Sequence, residues 1–228
     1  MKKLLVIICL ILGVTGYSKD FSIKNISDKY DLKIKVLPCE GDTCEGTGDL
    51  TLFYKGSDKV FQTITNQEVY FSYDENNGFE NGSPVVFKDV NFDGSEDLII
   101  ASGHFGPYGS PTFSVYLFDK KIGKYKFNEA FTDLGSSYLG MFEIDKDRER
   151  LTAYSKSGCC WHEKTEFKVV LGQKLQKVLV VTESIESADG GTELEIKTTK
   201  EFINWKWKIE EKKRKVTSEE MEESDIWK

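Results

Sequence analysis

Apolar and polar positions alternate in short runs along this 228-residue chain, with turn residues between the runs. Leu50-Thr51-Leu52-Phe53-Tyr54, the turn Lys55 to Lys59, and Val60-Phe61-Gln62-Thr63-Ile64-Thr65 predict one hairpin. Phe113 to Phe118, the turn Asp119 to Lys124, and Tyr125-Lys126-Phe127 predict a second. Lys177 to Val181, a turn around Asp189-Gly190-Gly191, and Leu194-Glu195-Ile196 predict a third, with Phe202 to Ile209 as a further strand. After the first sixteen residues no segment carries a helical period, so the predicted class is all-β.

Short strands at this spacing build a sandwich, a barrel or a propeller. An internal echo favours a small, irregular, propeller-like domain of antiparallel hairpins, with a β-sandwich as the alternative. Ser102-Gly103 returns as Ser157-Gly158, and an acidic loop and an apolar run precede each pair. Asp89 to Ile100 is the first such stretch; Asp145-Lys146-Asp147 leading to Leu151-Thr152-Ala153-Tyr154 is the second, without the glycine and the closing aspartate. Repeats of about forty to fifty residues suit four-stranded blades, and four or five would fit.

The chain opens Met1-Lys2-Lys3 and continues with the apolar run Leu4 to Leu12, then small residues at Val14 and Gly16. A short basic start before such a run is the pattern of a secretory signal peptide, cleaved here after Gly16, and the run is too short to insert as a membrane span. The protein is therefore expected in the periplasm or secreted. The predicted organisation is a signal peptide over 1–16, an N-terminal segment over 17–47 holding Cys39 and Cys44, the β domain over 48–210, and a charged tail over 211–228. Charge excludes some partners. The 31 basic residues lose Lys2 and Lys3 on cleavage against 38 acidic ones, leaving a net of −9. Such a surface repels nucleic acid and anionic lipid and suits a basic protein partner.

One segment carries specific chemistry. Asp89-Val90-Asn91-Phe92-Asp93-Gly94-Ser95-Glu96-Asp97 sets oxygen side chains at positions 1, 3, 5 and 9 of a loop, with glycine at position 6 and the Ser95 carbonyl at position 7. Ca²⁺ takes about six to eight oxygen ligands, and alternate residues of a tightly turning loop supply them. The loop is no EF-hand, because position 12 is Ile100 where that site needs a bidentate glutamate. Aspartate at position 9 closes the set instead, and Leu98-Ile99-Ile100 leads straight into a strand. Asp89, Asn91, Asp93, Ser95 and Asp97 are the predicted Ca²⁺ ligands. The same residue types also form acidic turns without any metal.

Cys39, Cys44, Cys159 and Cys160 remain after cleavage, an even number that in an exported chain predicts disulfides. The favoured pairing is local, Cys39 with Cys44, leaving Cys159 and Cys160 as a vicinal bridge; crossing of both N-terminal cysteines to the 159–160 pair is the alternative. Oxidation removes the thiolate a cysteine nucleophile would need, and the spacing of Cys159, Cys160 and His162 is not that of a zinc site. Glu75 and Glu80 sit in a Gly- and Asn-rich loop where exposure is expected rather than glycoside hydrolysis. The chain is read as a non-enzyme. Two loops are built for binding instead. Ser102 to Thr112 carries His104, Phe105 and Tyr108 between glycines and prolines; Ser155 to His162 places Trp161 and His162 beside the cysteines. Rigidly held aromatics are interface anchors, though the same residues can cap the core.

The opening hairpin at Leu50 to Ile64, the loop Asp89 to Leu98, Tyr116-Leu117-Phe118 and Ser157-Gly158-Cys159-Cys160 together resemble one family. Its members are exported, calcium-binding, propeller-like immunity proteins against peptidoglycan hydrolases delivered by bacterial type IV secretion systems. The calcium loop is also similar to that of FG-GAP repeats in integrin α chains, and periplasmic lysozyme inhibitors are functionally similar. The resemblance covers residues 48–208. It implies a monomer that inhibits a basic cell-wall hydrolase stoichiometrically, by placing a loop in the enzyme's cleft.

Overall fold

The computed structural model describes residues 18–36, 39–74, 78–80, 82–188 and 192–216. The signal peptide over 1–16, the 189–191 turn and residues 217–228 of the tail lie outside the described residues. Three antiparallel sheets follow one another along the chain. The first holds β1 (Lys19–Ile23), β2 (Tyr30–Val36), β3 (Cys39–Glu40), β4 (Thr43–Tyr54), β5 (Val60–Asp74) and β6 (Gly78–Phe79), in the order β1-β2-β4-β5-β6 with β3 also on β4. The second holds β7 (Val85–Lys88), β8 (Asp97–Gly103), β9 (Thr112–Asp119) and β10 (Lys124–Phe127), each beside its neighbour in sequence. A short helix, α1 (Glu129–Leu134), leads to the third, made of β11 (Glu143–Asp145), β12 (Arg150–Ser157), β13 (Trp161–Val170), β14 (Lys174–Ala188), β15 (Thr192–Ile203) and β16 (Lys206–Val216). The all-β expectation holds. Three sheets of six, four and six strands stand where the spacing predicts four or five blades.

The middle sheet explains why its strands read as continuous apolar runs. Side chains of a strand alternate between faces, and this sheet is covered on both. Leu98 and Ile100 of β8 join a core with the first sheet, where Leu32, Ile34, Leu50, Leu52 and Val69 are buried. Ile99, one residue out of phase, joins a second core with Val115, Leu117, Phe131, Leu151 and Phe167. Polar side chains lock the first sheet to the second. The Gln62 amide donates to the Tyr125 carbonyl at 2.9 Å and accepts from the Tyr125 N–H at 2.9 Å, imitating a ladder pair. Buried Gln67 donates to Ser114 Oγ at 3.0 Å and accepts from the Tyr116 hydroxyl at 2.6 Å.

Two expectations need correction. The domain boundary expected at residue 48 falls inside β4, and β1 and β2 bring Phe21, Tyr30, Leu32, Ile34 and Val36 into the first core. The charged tail over 211–228 opens as a solvated strand end, since β16 pairs with β15 as far as Val216. Helix is present as α1, capped by Asn128, whose Oδ1 accepts from the Phe131 N–H at 3.2 Å. Six residues are too few to print a 3.6-residue period, yet α1 sends Phe131 and Leu134 into the second core. Phe131 is 0% exposed. Phe131→Ala is expected to cost ~3–5 kcal/mol in urea unfolding, because the cavity cannot close between two sheets.

Beyond that core, β14 to β16 continue as a ribbon, and β16 is exposed along nearly its whole length. Ion pairs between facing residues brace it: Lys197 meets Glu183 at 2.6 Å, and Arg214 pairs with Glu195. Among the described residues no helix is long and apolar enough to cross a membrane.

Candidate functional site

The acidic loop joins the first strand of the middle sheet, β7, to the second, β8. Two residues turn it: Phe92 at φ 60 and Gly94 at φ 82, the latter a conformation glycine reaches without strain. Backbone N–H groups point inward at side-chain oxygens. Asp89 accepts from the N–H of Asp93 at 3.1 Å and of Gly94 at 2.9 Å; Asp93 accepts from Ser95 N–H at 2.8 Å, and Asn91 from Asp93 N–H at 3.1 Å. Partial burial works to raise the Asp93 pKa, but the Ser95 N–H, the Asn91 amide and the Lys120 ammonium outweigh it and leave it below its ordinary value. Lys120 Nζ lies 3.3 Å from Asp93 Oδ1 and also donates to the Asp93 carbonyl.

Asp97 differs from the others. It is 0% exposed, and it accepts from Val90 N–H at 3.0 Å and Phe118 N–H at 2.8 Å. Burial pushes its carboxyl up to about 7; the two N–H groups oppose the shift, and the Asp93 and Asp89 carboxylates add to it. A buried carboxylate facing two others, with no ammonium or guanidinium pairing it among the described residues, has the electrostatics of a cation site. Asp89, Asn91, Asp93, Ser95 and Asp97 carry oxygen donors of the kind a hard divalent cation takes, and the Lys120 ammonium already pairs with Asp93. No three His, Cys, Asp or Glu side chains among the described residues converge as a metal cluster; Asp89 and Asp93 instead accept from backbone N–H groups of the loop.

The echo of this loop has a structural counterpart. Asp145 ends β11 and Arg148 lies in the turn to β12, again between the first and second strands of a sheet. There Asp145 accepts from the Arg148 N–H at 3.0 Å and from its Nε at 2.6 Å, so the loop is closed by its own guanidinium.

The two aromatic loops come together. Gly106 to Ser110 forms a tight turn, with Gly106 N–H donating to the Ser110 carbonyl at 3.1 Å and Ser110 Oγ donating to the Tyr138 carbonyl at 3.0 Å. Tyr108 stands 64% exposed at φ 57, a left-handed conformation unfavourable for a bulky residue. Its hydroxyl accepts from the Gly158 N–H at 2.8 Å, and Lys156 Nζ sits 4.9 Å from its ring centroid. Phe105 is 72% exposed and lies against Gly103. His104 packs edge-on against Tyr70 of β5, with ring centroids 4.4 Å apart.

On the neighbouring hairpin His162 pairs with Lys156 and shares its face, the Tyr108 side, whereas Trp161 pairs with Ser157 and falls on the opposite face. Tyr108, Lys156 and His162 therefore lie on one side of the hairpin, Phe105 adjoins Tyr108 on its loop, and His104 ties that loop to the first sheet. Lys156 and the Gly158 N–H were missed in the sequence, where nothing marks a lysine that finds its ring fifty residues away. The disulfides are Cys39–Cys44 and the vicinal Cys159–Cys160, the local pairing favoured above. The second closes the turn beside Gly158 and engages both sulfurs.

A Cβ on Gly103 would stand 2.2 Å from Phe105 Cε2, and φ is +148 there. Gly103→Ala is expected to displace the Phe105 ring and cost ~1–3 kcal/mol, read by thermal unfolding and by faster proteolysis within residues 104–110.

No family model matches the chain, and no curated protein matches it. Among solved structures it is similar to one described as a Xanthomonas type IV secretion system related protein, with a TM-score of 0.64 and 21% identity over 87% of this chain and 93% of that one. At that identity the likeness shows a shared fold: an all-β chain of antiparallel sheets.

Proposed function

We propose that this protein is an exported, calcium-binding inhibitor of a peptidoglycan hydrolase, acting through the surface formed by Phe105, Tyr108, Lys156 and His162. The observation that carries the reading is Tyr108, an exposed ring held in a strained backbone by a loop on each side. A side chain ordered before binding loses little entropy on entering a partner's cleft. The fold's likeness to a protein described as type IV secretion system related supports the reading. Two disulfides support an exported setting. The excess of acidic residues favours encounter with a basic hydrolase.

Asp89, Asn91, Asp93, Ser95 and Asp97 are the residues proposed to hold Ca²⁺. The ion would supply positive charge to a loop dense in carboxylates. The chain's part is to present those oxygens from β7 and β8, whose far end carries the aromatic loop. A second reading, a calcium-stabilised exported binding module without inhibitory activity, draws on the exposed strand β16, a surface the first reading leaves unused.

The test is a turbidity assay of purified peptidoglycan with a lysozyme-type muramidase and with a secreted glucosaminidase, titrated with mature protein. Saturable one-to-one inhibition of either enzyme is expected. Full activity of both at micromolar protein would favour the second reading.

A further inference from the structure

The third sheet carries a groove of about 860 Å³ that the proposed inhibitory surface does not use. Its floor lies across β12 to β15, from Arg150 and Lys168 over Gln176 to Glu201. The register slips between Glu166 and Phe167, and a bulge of that kind bends strands and hollows one face. The buried Glu166 carboxylate is held by Arg148 at 3.2 Å and Lys164 at 3.0 Å, so the floor is fixed by ion pairs rather than soft packing.

At the rim stands Trp205. It occupies the second centre of the two-residue turn Asn204-Trp205 between β15 and β16, with φ 49 and φ 64. Turns of this shape take asparagine readily at the first centre and glycine at the second, where a Cβ is unwelcome. The bulkiest side chain thus sits where the backbone most disfavours it, and it is 85% exposed. Strain kept at an exposed site points to function. Phe202 lies beneath, with its ring centroid 6.3 Å from Trp205 and 5.3 Å from Trp207.

We propose that this groove binds an oligosaccharide of a few pyranose rings. A pyranose has an apolar face of C–H groups and a polar edge of neighbouring hydroxyls. The Trp205 ring offers a flat apolar surface to the first. Arg150, Gln176, Glu201 and Asn204 offer planar groups that donate or accept two hydrogen bonds at once to the second. The volume lies within the range of about 300–1,000 Å³ typical of small-ligand sites. An apolar ligand would strand the charged floor, and a small anion would leave the aromatic rim without a role.

This site is separate from the surface around Tyr108. Arg150 begins β12 and Ser157 ends it, which puts the groove and the Gly158 turn ~25 Å apart along eight residues of strand. It does not rest on the inhibitory reading.

The test follows the indole N–H signals of ¹⁵N-labelled mature protein by NMR during titration with chitotetraose, cellotetraose and a soluble peptidoglycan fragment, each alone. Four tryptophans occur in the chain, and Trp205→Phe assigns the signal. At least one sugar is expected to shift the Trp205 signal saturably. Isothermal titration should then show Trp205→Ala weakening that sugar by about tenfold or more, the equivalent of ~1.4 kcal/mol. Trp205→Phe should keep most of the affinity. Which sugar binds separates a cell-wall glycan from any other. Silence of all three sugars, or full affinity in Trp205→Ala with unchanged circular dichroism, overturns the proposal. No hydrolase enters the experiment, so its failure leaves the inhibitory reading standing.

Discussion

Calcium-stripped protein is expected to lose stability as the pH rises from 5 to 7.5, the reverse of ordinary acid denaturation. The cause is Asp97. Its carboxyl is held at about 7 in the folded state, well above the ~3.9 of an unfolded aspartate. Between those values the folded chain keeps a proton that the unfolded chain releases. Fewer protons on the unfolded state mean stability that falls with pH, present in full below about pH 4 and gone above about 7. Asp31, Asp93, Asp119 and Asp145 are shifted downward and act oppositely, but they titrate at lower pH, outside this window.

Calcium should erase the slope, because the ion favours the ionised form that the apo fold resists. At a hundredfold excess over Kd it adds ~2.7 kcal/mol, and more of that gain appears at pH 7.5 than at pH 5, where the proton competes. Asp97→Asn should remove both effects. It also leaves one acceptor oxygen for the Val90 and Phe118 N–H groups where there were two, a further ~1–3 kcal/mol. Urea midpoints with EDTA and with calcium at the two pH values decide it. Equal midpoints in all four conditions would remove both the calcium site and the electrostatic account of Asp97.

The second large effect is on inhibition. Replacing Phe105 and Tyr108 together by alanine is expected to weaken hydrolase inhibition by about a hundredfold or more, since a buried aromatic anchor costs ≥ ~2 kcal/mol when truncated. Tyr108→Phe isolates the tether. The ring stays, but the Gly158 N–H loses its acceptor, and the loop keeps its chemistry with less order. An intermediate loss is expected, about three- to tenfold, from the ~0.5–1.5 kcal/mol of one net hydrogen bond. Inhibition constants from the turbidity assay, with melting temperatures as a control for folding, read both. An unchanged constant in the double variant would move the inhibitory surface elsewhere.

Much of the fold follows from local pattern. The hairpins at Leu50 to Thr65 and Phe113 to Phe127 are β4–β5 and β9–β10, because alternation and turn residues act over a few positions. The acidic loop and the pairing of Cys39 with Cys44 were legible for the same reason: each is complete within nine residues. The segment before residue 48 was misplaced because strand order is settled across sequence. β2 pairs with β4, and nothing near Tyr30 announces Tyr54 as its partner. α1 escaped because its six residues make fewer than two turns, too short a stretch for a 3.6-residue period to repeat.

The sequence by itself determined the β4–β5 and β9–β10 hairpins and the oxygen-rich loop, all products of side-chain alternation and backbone preference acting between close neighbours. Tertiary structure alone decided that the middle sheet is buried on both faces, that Asp97 sits beneath its loop without a basic partner among the described residues, and that Tyr108 reaches the Gly158 turn. Those outcomes depend on which sheets stack, and stacking is governed by apolar area and polar satisfaction summed over distant segments, which no single stretch of chain encodes.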